Sequence, residues 1–384
     1  MDFRESPEQE MVRETVAKIA ARYGHEYFIA KARSGEKATE LWDAIAEGGF
    51  VGINLPEEHG GGGMGLYGLT IVCEELAAAG CPLLLLVVSP AIAGSVIARF
   101  GTAEQKERWV PGIASGKLKF AFAITEPDAG SNSHRLATTA RRDGDGYRLS
   151  GTKHFISGVD EADNILVVAR TGAPDAPGRS AISLMVVPAD APGLTRQLIP
   201  VEIVAPEKQF VLFFDDVFVP AENLVGDEGE GLRQLFFGLN PERITGAAMA
   251  CGTGRYALAK AADYARQRNV WGVPIGAHQG IAHPLAKAKV EVELARLATA
   301  RAAWEYDAGI DAGESANMAK YFAGEAANIA LDQAIQTLGG NGLASEFGLA
   351  DAWGMTRLLR IAPVSREMIL NFVSQHSLGL PKSY

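Results

Sequence analysis

The sequence predicts a mostly α-helical protein with a central β-domain. The first ~120 residues and those after Gly226 contain apolar positions at helical spacing, whereas the part between them contains short β-branched runs bounded by Gly, Pro and Asp. The length of 384 residues agrees with two or three domains at about 150 residues each. A block of strands between two blocks of helices argues against alternating βαβ units and a doubly wound nucleotide-binding fold.

The N-terminal part predicts helices over EQEMVRETVAKIAARY (8–23) and TELWDAIAEGGF (39–50), the second ending at glycines. The stretch from Leu76 to Ala98 has no charged residue and is long enough to span a bilayer. Gly and Pro interrupt it and no basic flank marks an orientation, so we expect a buried helix pair or a helix–turn–helix instead.

The middle part predicts strands because alternating and β-branched runs follow one another at short intervals. The runs are YRLSGTKHFIS (147–157), NILVVAR (164–170), AISLMVVPA (181–189) and KQFVLFFDDVFVP (208–220). The predicted domains are therefore residues 1–120 (helical), 121–225 (β) and 226–384 (a C-terminal helical bundle).

The C-terminal part contains one misleading motif. Gly252 to Ala257 match GxGxxA, the dinucleotide-binding fingerprint, which needs a strand before it and a helix starting on it. Here it lies within ITGAAMACGTGRYALAKAADYA (244–265), which reads as a single helix whose small residues allow close packing. A second long helical pattern covers residues 281–309, and the glycines at 60–63 predict a loop without phosphate-binding context.

Composition excludes several classes of function. The net charge of −10 argues against nucleic-acid binding and against attraction to an anionic membrane surface. The three cysteines, Cys73, Cys81 and Cys251, provide neither a disulfide framework nor a zinc site. His278 and His283 would not share a helix face, so no metal site is predicted. The acidic first residues do not resemble a signal peptide, and we expect a soluble, cytoplasmic protein.

Several blocks in order resemble the acyl-CoA dehydrogenase family. They are GTAEQKERWVPGIASGKLKFAFAITEPDAGS (101–131), GTKHFISG (151–158), FDDVFVPAENLVGDEGEGLRQLFFGLNPERITGAA (214–248), ARQRNVWGVPIGAHQGI (265–281) and QTLGGNG (336–342). The resemblance covers nearly the whole chain. It implies an N-terminal helical domain, a middle β-barrel-like domain, a C-terminal four-helix bundle and FAD as the cofactor.

The resemblance also implies which residues contact FAD. Positions near the flavin ring are Phe122, Ile124, Thr125, Gly130, Ser131, Phe155, Ile156 and Ser157. Asn132 replaces the family's usual Asp, and Phe155-Ile156-Ser157 replaces the usual Trp-Ile-Thr. Taken alone, these blocks are equally consistent with a β-turn and a core strand.

A second set matches positions that hold the FAD pyrophosphate and adenine across a dimer interface. It comprises Arg268, Val270, Trp271 and Gln279, with Gln336, Gly339 and Gly340 on the complementary loop. A guanidinium offers paired donors to a pyrophosphate, although Arg268 alone reads equally well as a solvated helix charge. The resemblance implies a homo-oligomer, a dimer of dimers, and an electron-transfer flavoprotein as electron acceptor.

The family's reaction removes the α-proton of an acyl-CoA thioester, and the family's usual base is missing. Pro363 occupies the position of the C-terminal Glu. In a minority of the family, including the isovaleryl and long-chain enzymes, the base precedes an Arg of a C-terminal-domain helix, which points to Glu242. Asn240 and Arg243, with Ser131, are then expected toward the substrate. Glu367 is the next candidate base.

An alternative interpretation of residues 240–242 is purely structural: they start a helix. Asn240 would be the N-cap, Pro241 the first helical residue, and the helix dipole would favour Glu242. Proline also has no N–H to polarise the thioester carbonyl, so either Val364 donates or one donor is lost. We expect an acyl-CoA dehydrogenase. A flavin oxidase or monooxygenase on the same fold and a degenerate acyl-CoA-binding protein stay open.

Overall fold

The computed structural model describes residues 4–172 and 182–382. Helices form its N-terminal and C-terminal parts, and one β-sheet lies between them. The predicted order of helical, β and helical parts is therefore confirmed. The predicted domain limits at 120 and 225 stay a prediction; strand β1 begins at Phe120 and helix α6 at Gly231.

The N-terminal helices begin where local capping favours them. Ser6 accepts a hydrogen bond from the Gln9 N–H while the Gln9 side chain accepts one from the Ser6 N–H, so α1 starts with a capping box. Gly24 has a left-handed φ of 69° and kinks α1. The helices are α1 (Pro7–Ser34), α2 (Thr39–Glu47), α3 (Gly65–Ala78), α4 (Ser95–Phe100) and α5 (Ala103–Ala114).

The uncharged stretch 76–98 is broken into short pieces, as predicted. Helix α3 ends at Ala78, and a π-helical segment, Val87–Gly94, leads directly into α4. Most of this stretch is buried against the rest of the protein. Within the described residues, no helix is long and apolar enough to cross a membrane.

The four runs that the sequence identified as strands all form strands of the sheet, and four further strands that it did not identify complete the sheet among the described residues. The strands are β1 (Phe120–Ala123), β2 (Thr139–Asp143), β3 (Gly146–Ser157), β4 (Asn164–Arg170), β5 (Ile182–Pro188), β6 (Leu194–Ile199), β7 (Gln209–Pro220) and β8 (Leu224–Val225). Residue 181 of the predicted third run lies outside the described residues. In the described part, the order is β6-β7-β3-β2-β4-β5-β8, with β1 pairing parallel to β4. The register of β3 against β7 shifts between Lys153 and Ile156.

The C-terminal part is built around α6, which packs against α3, α7 and α8. The GxGxxA motif lies inside this helix, as predicted. A Cβ at Gly252 would lie 2.2 Å from the Glu74 carbonyl oxygen, so the glycine allows α3 and α6 to approach closely. The elements are α6 (Gly231–Gln267), β9 (Asn269–Val270), β10 (Val273–Pro274), α7 (Gln279–Asp307), α8 (Gly313–Leu338), α9 (Trp353–Ile361) and α10 (Arg366–Phe372).

Residues 240–242 do not start a helix, so that alternative is wrong. Helix α6 begins at Gly231 and continues through Pro241. A proline inside a helix removes one backbone hydrogen bond and is expected to kink or end it. The buried packing of α6 against three other helices offsets this cost, since tertiary contacts supply most helical stability in proteins.

Two adjacent buried carboxylates, Glu74 and Glu75, form a charge cluster between helices. Arg13 of α1 and Arg255 of α6 contact both carboxylates, with the Arg255 Nη1 atom 2.6 Å from each. Arg296 of α7 also contacts Glu74. The two side chains are only 7% and 5% exposed, so their charges depend on these arginines for compensation. The cluster joins four helices of two helical blocks.

Replacing Glu75 with Gln is expected to lower the free energy of unfolding by about 1–3 kcal/mol, because Arg13 and Arg255 each lose one of their charged partners and keep Glu74. Urea denaturation measures this change. The matched control is Lys18→Gln, which breaks an exposed pair with Glu14 and should cost no more than ~0.5 kcal/mol. Equal stability of the two variants would contradict the structural role of the cluster.

Candidate active site

A cavity of about 1720 Å³ lies where the N-terminal helices, the sheet and the C-terminal helices meet. Leu84, Val87 and Val88 line it from the N-terminal part, and Phe236, Leu239 and Met249 line it from α6. Ligand sites of proteins usually enclose about 300–1,000 Å³. This cavity is therefore large enough for two sizeable ligands side by side.

The cavity brings together many of the residues that the sequence predicted. Its lining includes Phe122, Ile124, Thr125, Gly130, Ser131, Phe155, Ile156, Ser157, Asn240, Glu242 and Arg243. Residues from β1, β3, the loop between β1 and β2, and α6 thus share one wall. Pro363 and Val364 also line the cavity, whereas Glu367 does not.

Glu242 presents a carboxyl group to the cavity from within the protein. Burial raises its pKa to about 7, and the neighbouring charges of Arg243 and Lys320 act in the opposite direction. The side chain is partly exposed only because the cavity is open beside it. A carboxyl group with a pKa near neutrality suits general-base chemistry at physiological pH.

Arg243 is a buried cation with a free donor. Its Nη1 donates to the Asn240 Oδ1 at 3.0 Å, whereas its Nε is buried and has no hydrogen-bond partner among the described residues. Burial lowers its pKa, and the Glu242 charge acts against that change. Since a buried guanidinium without a full set of acceptors is costly, the orphan N–H favours a ligand acceptor in the cavity.

Glu367 is a poor base in this structure. It is exposed, and its Oε1 accepts a hydrogen bond from the Arg366 Nε at 2.6 Å. This pairing with Arg366 holds the pKa of Glu367 below its usual value. The carboxylate is therefore a weak base that faces solvent instead of the cavity.

Lys320 of α8 is a buried residue that the sequence analysis missed. It is 2% exposed, and its Nζ donates to the carbonyl oxygens of Arg360, at 3.2 Å, and of Val364. It therefore fixes the chain segment that carries Pro363. Burial, together with the positive charge of Arg243, lowers its pKa to about 8. A lysine between Ala316, Ala319 and Ala323 on one buried helix face was the only signal in the sequence.

A second buried pair, also missed, supports the wall formed by the sheet. The Lys153 Nζ donates to Glu126 Oε1 at 2.8 Å and to the Ile124 carbonyl at 3.0 Å. Glu126 also accepts hydrogen bonds from the N–H groups of Ala137 and Thr138. This pair closes the loop that presents Thr125, Gly130 and Ser131 and joins it to β3.

Phe155 lies in a strained backbone conformation at the β3 bulge. Its φ is 58°, and its ring is 54% exposed beside the cavity. A left-handed conformation is unfavourable for a bulky residue and is often found at functional sites. Near it, Gln209 Nε2 donates to the Ser157 Oγ at 2.9 Å and fixes that hydroxyl.

The second predicted set lies away from this cavity. Arg268 and Gln279 are exposed, and Trp271 at the tip of the β9–β10 hairpin is 90% exposed. The remaining members, Val270, Gln336, Gly339 and Gly340, do not line the cavity either. Among the described residues there is no cluster of metal-binding side chains, and His278 precedes the first residue of α7, which contains His283.

Comparison with known proteins defines the class of this fold and site. Models of the acyl-CoA dehydrogenase N-terminal, middle and C-terminal domains match residues 6–117, 121–217 and 229–378. The chain belongs to the acyl-CoA dehydrogenase family. It is accordingly an FAD-dependent enzyme with the activity of that family, the dehydrogenation of acyl-CoA thioesters.

Particular relatives agree over the full length. Acyl-CoA dehydrogenase FadE12 of Mycobacterium tuberculosis is 58% identical, with 100% of this chain and 99% of the relative covered. The glutaryl-coenzyme A dehydrogenase–glutaryl-CoA complex is 31% identical with a TM-score of 0.95, covering 100% of this chain and 98% of the other. The FAD complex of PigA is 28% identical with a TM-score of 0.93, covering 99% and 100%.

Replacing Lys320 with Met is expected to cost about 2–4 kcal/mol of unfolding free energy, because two carbonyl groups lose a charged donor. Hydrogen exchange should also become faster in residues 360–365. Lys289→Met, which removes an exposed lysine paired with Glu293, is the control and should change neither quantity. Unchanged exchange in residues 360–365 of Lys320→Met would show that the lysine does not hold this segment.

Proposed function

We propose that this enzyme converts an acyl-CoA thioester to the 2-enoyl-CoA with Glu242 as the base that removes the α-proton. The observation that carries the proposal is a carboxyl group that faces the cavity with a pKa raised to about 7 by burial. At neutral pH this carboxylate is a stronger base than an exposed one, and a large share of it is still ionised. The enzyme then belongs to the subgroup of the family in which the base directly precedes an Arg of the same helix.

The thioester binds so that its polar part meets the cationic side of the cavity. The unpaired Arg243 Nε offers a donor to a carbonyl or phosphate oxygen, and Asn240 holds the same guanidinium. Ser131 adds a hydroxyl to the same cavity. The acyl chain lies among Leu84, Val88 and Leu239, where the lining is apolar.

The cavity is suited to FAD beside the substrate. Its volume exceeds that of one ordinary ligand, and the strained Phe155 presents an aromatic ring to it. Phe122, Ile124, Thr125, Gly130, Ser131, Ile156 and Ser157 are the other residues that would hold the flavin. When bound, FAD supplies the acceptor for the hydride that leaves the β-carbon.

A homo-oligomer, a dimer of dimers, would complete the cofactor site. Exposed apolar side chains follow one another along α7, namely Val290, Leu294, Leu297 and Trp304. An apolar face of this kind is typical of a subunit interface. Arg268, Val270, Trp271 and Gln279, with the loop of Gln336, Gly339 and Gly340, would then contact FAD across the interface.

We propose an electron-transfer flavoprotein as the electron acceptor. A structure solved in work on the electron-transferring flavoprotein of Acidaminococcus fermentans has a similar fold, with a TM-score of 0.95 and 30% identity. We also propose a cytoplasmic location. The three cysteines, which are buried free thiols, support it because reduced thiols are usual there.

Pro363 favours a second candidate function, an acyl-CoA-binding protein without turnover. It lines the cavity at the family's usual base position and offers neither a carboxylate nor an N–H. Loss of one oxyanion donor costs roughly 10²–10³ in rate. Tight thioester binding without any change of the flavin spectrum would identify this function. Rapid peroxide formation would instead identify a flavin oxidase.

Glu242→Gln is expected to lower the rate of anaerobic flavin bleaching by acyl-CoA at least ~10³-fold, because the amide cannot accept the α-proton. For the unaltered enzyme, kcat/KM should rise with pH through about 7, since the carboxylate is the active form and burial raises its pKa to that value. Stopped-flow absorbance measures both.

Glu207→Gln is the matched control for this experiment. Burial, with the charge of Glu161, raises the pKa of Glu207 to about 7 as well, but Glu207 does not line the cavity. The rising limb of the pH profile should persist in Glu207→Gln. Its disappearance there, or bleaching at the original rate in Glu242→Gln, would refute Glu242 as the base.

Leu294→Glu is expected to dissociate the oligomer, because it places a charge in the apolar face of α7. Mass photometry should record a smaller species, and the FAD content per chain should fall. Arg268→Ala should lower the FAD content without changing the mass. Lys287→Glu, an exposed substitution on the same helix, is the control. A fully FAD-loaded monomer would contradict a site shared between subunits.

A further inference from the structure

The glycines inside α6 differ in what surrounds them. A Cβ at Gly238 would lie 2.7 Å from Val96, one at Gly252 would lie 2.2 Å from the Glu74 carbonyl oxygen, and one at Gly254 would lie 2.9 Å from Val292. These three positions exclude any side chain because other elements pack against them. A Cβ at Gly246 would meet only the Leu359 Cδ2, at 4.0 Å. Close packing therefore does not explain Gly246.

Gly246 also lowers the stability of helix α6, and no close packing contact offsets this loss. A glycine in a helix interior is less favourable than an alanine by about 0.5–1 kcal/mol. The position lines the cavity, one helical turn after Glu242 and on the same face of α6. Met249 continues that face, so the lining beside the missing side chain is apolar.

We infer that Gly246 is a specificity-determining position, which leaves room for an acyl group that carries a hydrocarbon branch or a ring close to the reacting carbons. This inference rests on the proposed function, in which Glu242 approaches the α-carbon. Four residues of helix advance about 6 Å, so the space lies one turn of α6 away from the residue that approaches the α-carbon. Because Met249 and Leu359 border the space, it suits a hydrocarbon substituent and not a charged one.

The test compares branched and cyclic acyl-CoAs with straight-chain acyl-CoAs of equal carbon number, by anaerobic flavin bleaching of the holoenzyme. For the unaltered enzyme, kcat/KM should be higher with the branched or cyclic substrates. In Gly246→Val, the ratio of branched to straight kcat/KM should fall about 10–100-fold, the range that one or two carbons of a hydrophobic pocket supply. A ratio that stays within about 3-fold of the original would overturn the inference.

Thermal stability gives a readout that does not depend on turnover. Gly246→Ala should raise the Tm because alanine favours the helix and its methyl group meets open space. Gly252→Ala should lower the Tm, because the methyl group would collide with the Glu74 carbonyl. A lower Tm for Gly246→Ala would show that the space is filled by the protein and would overturn the inference.

The two proposals fail in distinguishable ways. If no acyl-CoA of the panel bleaches the flavin of the unaltered enzyme, the proposed function fails and this inference with it. If straight-chain substrates bleach it and Gly246→Val leaves the substrate ratio unchanged, the proposed function stands and only the role of Gly246 is wrong.

Discussion

Two neighbouring carboxylates on α3, buried side by side, set the main constraint on this molecule. Two carboxylates at this depth need cationic partners, and the guanidinium groups that contact Glu74 and Glu75 come from α1, α6 and α7. The arrangement of the helices around α3 is therefore an electrostatic requirement as well as a packing one. Arg255 lies on the same helix as Glu242, so the cluster contributes to the position of the helix that carries this carboxyl group. The glycines Gly252 and Gly254 act in the same direction, since they allow α3 and α7 to approach α6 closely.

Most of the architecture was predictable because it depends on local periodicity. Residues 8–23 and 281–309 repeat at helical spacing and form α1 and α7, while the β-branched runs form β3, β4, β5 and β7. The alternative in which a helix starts at Asn240 and Pro241 was wrong. It depended on local capping preferences, whereas tertiary packing allows the helix to continue through these residues. Buried contacts around α6 offset the hydrogen bond that Pro241 cannot make, and the small residues at 244–265, which did indicate close packing, lie after the proline.

The residues of the candidate site were predictable where a motif lies in one stretch of sequence. They were not predictable where the role of a residue depends on how deeply its side chain is buried. Motifs placed Thr125, Ser157 and Glu242, and all three line one cavity. The roles of Lys320 and Lys153 were not predictable, because a lysine in a sequence is normally interpreted as a solvated charge. Only the structure shows that both are buried. Each holds a segment of the cavity wall by donating to backbone carbonyl groups. The space beside Gly246 was not predictable either. A helical glycine packed against another element and one beside open space are identical in a sequence.

The electrostatics of Glu242 reflects short-range balance and not the charge of the whole chain. Exposed charges farther apart than about 10 Å are largely screened, so the net charge of −10 has little influence inside the cavity. Burial raises the pKa of Glu242, whereas Arg243 and Lys320 lower it, and the result is about 7. Without the two cations the pKa of this carboxyl group would be higher, and a smaller share of it would be ionised at neutral pH. With full solvation its pKa would be close to that of an ordinary glutamate, and it would be a weaker base. The same two side chains also bind an asparagine and two carbonyl groups, so the residues that set the pKa of Glu242 also shape the cavity around it.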